Sequence, residues 1–189
     1  MASQIKVNEI IKQSGSSITI GESGDTINLA GTAYAEGEKN TPAFRATAAG
    51  TTTVANDTAT KIAFTTEVFD VGSGYDATND KFVVPAGEGG KYCFTATAKI
   101  NPATSGGLIG SGMRLTVGGS ASAGMEEIHF MNVNPSNAES MNVNGILDLS
   151  AADEVEVYAY YQDSGGSAGT ITGGGAEVNT VFFGYKLAE

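Results

Sequence analysis

From Lys91 to Ile100 apolar and polar residues alternate. Tyr92, Phe94, Ala96, Ala98 and Ile100 share one side, and Lys91, Cys93, Thr95, Thr97 and Lys99 share the other. A period of two marks a strand with one buried face. The pattern recurs at Ile62, Phe64 and Thr66 against Lys61, Ala63 and Thr65, and at Met113, Leu115 and Val117 against Arg114 and Thr116. Ile128 and Phe130 mark a further short strand. Met141, Val143, Leu147 and Leu149 oppose Asn142, Asn144 and Asp148, and Ile146 alone breaks that rule. Phe82, Val83 and Val84 read as a short strand closed by Pro85, which cannot donate to a ladder. Gly87, Gly89 and Gly90 then turn the chain into the long strand.

Two C-terminal segments carry apolar residues on both sides. In 155–161, Val155, Val157, Ala159 and Tyr161 face one way and Tyr158 and Tyr160 the other. In 181–187, Val181, Phe183, Tyr185 and Leu187 oppose Phe182, Gly184 and Lys186. Strands of this kind are covered on both faces, so a partner is expected on the side away from the core.

The first 41 residues show another pattern. Ile5 and Val7 alternate as in a strand, whereas Val7, Ile10 and Ile11 have helical spacing, and both readings stand. Ser14-Gly15-Ser16-Ser17-Ile18-Thr19-Ile20 is then echoed nine residues later by Ser23-Gly24-Asp25-Thr26-Ile27-Asn28-Leu29. One such strand cannot bury its face alone, so the repeat points to stacking within or between chains, against the plainer reading of a loosely ordered tail. The small and polar residues 30–41 read as a linker. The chain thus divides into a stem, anchor and linker over 1–41 and a head over 42–189.

Composition agrees with an all-β reading. Among 189 residues there are 26 glycines and 4 prolines, which suits many turns rather than helices. The net charge of −11 argues against nucleic acid as a partner, because phosphate binding needs Lys and Arg. No run approaches the roughly 20 apolar residues of a membrane span. The first 20 residues show no apolar core of a secretion signal, so synthesis in a cytoplasm is expected. The single cysteine, Cys93, reads as a small packed residue.

The stretch Tyr75-Asp76, Phe82, Pro85, Gly90, Tyr92, Phe94 resembles the signature of the complement C-one-q globular head and the related tumour-necrosis-factor jelly rolls. Ala96 stands where that family often has a further aromatic. Pro42 to Ala46 resembles the family's first strand, and Thr180 to Leu187, with Phe183, Gly184 and Tyr185, its last. The resemblance covers 42–188 and implies an antiparallel jelly-roll β-sandwich whose heads pack around a three-fold axis. On that basis Tyr158, Tyr160 and Phe182 are expected at a homotrimer interface. Separately, Ser3 to Ile10 with the Gly15 to Thr26 stretch resembles N-terminal regions of tail-fibre and other virion proteins of marine bacteriophages.

Candidate chemistry is sparse. Asp70, Asp76, Asn79 and Asp80 offer hard oxygen ligands, which makes the three aspartates calcium candidates, although turn residues also take this form. His129 is the only histidine, so a zinc site or a Ser-His-Asp triad has too few members within one chain. Glu126 and Glu127 are adjacent and would point to opposite faces of a strand rather than converge. Gly173-Gly174-Gly175 lacks the Lys and Ser/Thr of a phosphate loop. The expectation is therefore a non-enzymatic, all-β virion structural protein, a tail fibre, head fibre or capsid decoration, without a required cofactor. It would be assembled in the host cytoplasm and joined to other virion proteins through its N-terminal segment. The alternative is a module at a fibre tip that binds a host-surface glycan or receptor.

Overall fold

A computed structural model describes residues 23–24, 40–103, 108–120, 126–130, 138–174 and 180–187. The chain divides into two units, Met1–Glu36 and Gly37–Glu189. The expectations for the stem and linker, including the Ile5–Ile11 segment and, but for Ser23 and Gly24, the nine-residue repeat, lie outside the described residues.

In the second unit the described regular structure is all strand: β1 (Ala43–Thr47), β2 (Thr52–Val54), β3 (Thr60–Lys61), β4 (Thr66–Val71), β5 (Tyr75–Asp76), β6 (Lys81–Val83), β7 (Gly90–Asn101), β8 (Leu108–Val117), β9 (Glu126–Phe130), β10 (Glu139–Leu149), β11 (Glu154–Asp163), β12 (Gly169–Ile171) and β13 (Val181–Lys186). They form two antiparallel sheets. Sheet A runs β2-β12-β7-β13-β1-β4, with β10 along the opposite edge of β7. Sheet B runs β5-β6-β11-β8-β9, with β3 also on β11. The strands nearest in sequence are mostly not neighbours, so the sandwich is held by long-range pairing, as in β1 against β13.

The core lies between the sheets and is built from the inward side of each alternating strand. Tyr92, Phe94, Ala96, Ala98 and Ile100 of β7 are all 2% exposed or less. They meet Met113 and Leu115 of β8 and Val155, Val157, Ala159 and Tyr161 of β11 in one buried cluster. At one end sits an aromatic group. Phe44 stacks on Tyr75 at 4.8 Å and on Phe82 at 5.0 Å, while Phe182 meets Phe44 edge-on at 4.9 Å. Phe82, Tyr92 and Phe94 extend it. Offset and edge-on rings at such spacing gain energy beyond their buried area. The ring of Phe94 lies so close to Gly184 that a Cβ there would come within 2.4 Å of it, which explains a glycine in mid-strand.

Two details differ from the expected strands. The segment 61–66 is a strand only at Thr60–Lys61, although Ile62 and Phe64 are buried as their spacing predicts. A separate strand, β4, begins at Thr66 and runs through Val71 into what reads in the sequence as turn. It forms because β1 offers a free ladder on the side away from β13.

Candidate functional site: the outward face of sheet A

The pairing registers place three rows of side chains across the outward face of sheet A. The first runs Val71, Ala43, Tyr185, Cys93, Ile146, and the second Phe69, Arg45, Phe183, Thr95, Asn144. The third crosses Thr47, Val181, Thr97 and Asn142. The face is apolar with small polar residues, and Arg45 is the one charge in these rows. Its apolar members at the edges are open to water: Phe69 is 45% exposed, Val71 50% and Ile146 61%. With Val68, which falls at the register shift of β4 outside these rows, at 51%, these are all the exposed large hydrophobics among the described residues, and all four belong to β4 or β10, the strands at the two ends of the first two rows. Apolar exposure concentrated on one face marks an interaction surface. Arg45, Phe69, Thr97, Val181 and Phe183 line an open hollow of about 360 Å³ on it. Cys93 is half-buried on this face, directly across from Tyr185, and its thiol holds that phenol above its usual range.

The three aromatic residues expected at an interface do not lie together. Phe182 is fully buried in the sandwich, so it cannot reach another chain. Its neighbour Phe183 takes the outward position. Tyr158 and Tyr160 face outward as expected, but from β11 in sheet B, on the opposite side of the sandwich from β13. One axis cannot be lined by both sheets' outer faces. The Tyr160 hydroxyl donates to Asp57 Oδ1 at 2.6 Å, and this bond raises its pKa. The Tyr158 hydroxyl donates to Glu156 Oε2 at 3.2 Å, and the Arg114 guanidinium sits 5.5 Å from the centre of its ring. Both rings are therefore held in place at a half-exposed surface.

The calcium candidates do not converge either. Asp70 accepts the Gly74 and Tyr75 amides at 3.2 and 3.0 Å. Asp76 accepts the Thr78 and Asn79 amides, both at 3.0 Å, and the Asn79 side chain at 2.7 Å; the side-chain bond is the main reason its pKa falls below the usual carboxylate range. These carboxylates are committed to their own turns. Asp80, with φ of +48°, is partly buried, and desolvation raises its pKa. Its Oδ1 is a buried acceptor with no partner. Among the described residues no three of His, Cys, Asp and Glu come together as metal ligands. His129, Glu126 and Glu127 lie on β9, and their side chains lie outside the described residues.

The order of strands and the aromatic cluster can be set against known structures. The globular domain of the zebrafish complement 1qA protein superposes with a TM-score of 0.51 at 17% identity, over 78% of this chain and 98% of that one. Murine APRIL superposes with a TM-score of 0.50 at 16% identity, over 77% and 98%. The fold is the jelly roll of the complement C-one-q and tumour-necrosis-factor heads. No family model matches the chain, and no curated protein does. Of the residues that carry the sequence resemblance, Phe44, Tyr75, Phe82, Tyr92 and Phe94 belong to the aromatic core, whereas Phe183 and Tyr185 of the last strand face outward. The C-one-q-like signature is thus mainly a packing signature. The exposed edges of the outward face of sheet A, Phe69 and Ile146, lie outside it.

Proposed function

We propose that the chain is a structural protein of a bacteriophage virion, whose jelly-roll head assembles as a homotrimer and whose N-terminal segment attaches it to other virion proteins. The observation that carries this reading is the uncovered apolar face of β4, β1, β13, β7 and β10. A single chain leaves Phe69, Val71 and Ile146 in water, and a closed ring of copies removes them from it. Apolar burial is worth roughly 25 cal/mol per Å². The virion assignment rests on the sequence of residues 3–26, and the net charge of −11 suits a protein kept apart from nucleic acid. An antibody raised against residues 42–189 is expected to label intact purified particles made by cells that carry the gene. Particles free of the chain would refute the assignment.

A second reading, binding of a host-surface glycan, is favoured by Tyr158 and Tyr160. They lie half-exposed on sheet B, away from the face used for assembly, with their hydroxyls tethered and their rings held. Loss of glycan-array binding on Tyr160→Ala would support it. An array on which the intact chain binds nothing would remove it.

A further inference from the structure

The two ends of the outward face of sheet A differ, and the difference indicates how copies meet. At one end β4, β1 and β13 frame the hollow of about 360 Å³ lined by Arg45, Phe69, Thr97, Val181 and Phe183. At the other end β10 lies along the free edge of β7 and carries Ile146, the most exposed large hydrophobic residue among those described, at 61%. Its neighbours along the same side of β10 are Asn142, Asn144 and Asp148. We propose that in the assembled head β10 of one copy lies across β4, β1 and β13 of the next, with Ile146 seated in the hollow and Asp148 paired with Arg45. This rests on the homotrimer reading.

Charge and symmetry both point to this arrangement. Asp148 is the only charged residue on the outward side of β10, and Arg45 the only one on the outward sides of β1 and β13. Within one chain, β13 and β7 stand between β1 and β10. Three strand spacings are about 14 Å, so the two charges cannot pair in a single copy. Among the described residues Arg45 has no ion pair. Closing the hollow with an apolar surface alone would bury this guanidinium unpaired, which is strongly unfavourable. A carboxylate must arrive with the apolar group. Asp148 lies two residues from Ile146 on the same face, about 7 Å along the strand, within the span from the hollow's floor to its charged rim. The cation facing Asp148 within its own chain is Lys91, directly across on β7. A ring of three also needs two different patches that fit each other, because a two-fold contact matches a patch with itself. The hollow and Ile146, at opposite ends of one face, are such a pair.

Two experiments on the full chain test this. In a Cys93→Ser background, Phe69→Cys and Ile146→Cys are combined and treated with a short bis-maleimide. Both positions are exposed, so neither change empties the core. Covalent trimers on a denaturing gel are expected, with no trimers from either single-cysteine chain. Absence of covalent trimers while the chain still sediments as a trimer would overturn this contact and leave the homotrimer standing; a chain that sediments as a monomer would remove both. In the second experiment, Arg45→Asp and Asp148→Arg are each expected to weaken assembly at least tenfold, and the double exchange to restore most of it. Recovery also shows that the single variants failed through charge rather than folding. A double variant that assembles no better than the singles would overturn the pairing.

Discussion

Phe182 and Phe183 are adjacent, similar in sequence context and opposite in fate, so truncating each in turn separates the core from the outward face of sheet A. Phe182 is fully buried, with its ring centre 4.9 Å from that of Phe44, 5.5 Å from Phe64 and 6.0 Å from Phe94. Phe182→Ala removes a ring from the centre of the aromatic cluster and leaves a void between two sheets that cannot collapse easily. Such changes cost about 3–5 kcal/mol. For a unit of this size each kcal/mol lowers the melting temperature by about 2–4 °C, so a fall of roughly 6–20 °C is expected. Phe183→Ala removes a ring from the outward face and leaves the core intact. Assembly makes melting depend on protein concentration. The assay is therefore thermal unfolding monitored by circular dichroism across a dilution series. The Phe182→Ala deficit is expected at every concentration, including those at which copies separate. The Phe183→Ala deficit is expected to shrink as the wild type itself dissociates. A Phe182→Ala loss below about 1 kcal/mol, smaller than any full core truncation, would refute the placement of this ring in the core.

Two further predictions concern the acidic turn. Burial raises the folded-state pKa of Asp80 above the ordinary 3.8, so its contribution to stability is present below that value and is lost as pH rises through the folded one. Asp80→Asn is thus expected to raise the melting temperature at pH 7 and to gain nothing below pH 3.8, and an equal effect at both would contradict the assignment. Because Asp70 and Asp76 are committed to backbone amides, melting in millimolar calcium is expected to match melting in sodium chloride of equal ionic strength. A calcium-specific rise would show that the three carboxylates gather around an ion after all.

Most of the core was readable from period-two alternation. Phe94, Leu115, Val143 and Val157 are buried where the pattern puts them. The off-pattern Ile146 proved to be the exposed one, and its break in the alternation was the visible sign of the uncovered outward face of sheet A. The side of Phe182 was not readable, because an apolar residue stands at every position from Val181 to Phe183 and period alone gives no inside. Gly184 held the missing signal. It shares a side with Phe182, and only the inward side, under the Phe94 ring, requires so small a residue. That β11 and β13 belong to different sheets comes from long-range pairing, which local sequence does not encode. The aspartate cluster left two readings in the sequence because turn-forming carboxylates and calcium ligands share the same residue types and spacing.

Sedimentation velocity of the full chain tests most directly whether the outward face of sheet A is an assembly surface. At micromolar concentration the chain is expected to sediment at three times its 19.2 kDa mass, and Ile146→Asp, which puts a charge on the exposed edge without touching the core, is expected to shift it to the mass of one chain. A wild-type chain that sediments as a 19.2 kDa monomer, or a trimer indifferent to Ile146→Asp, would contradict that role.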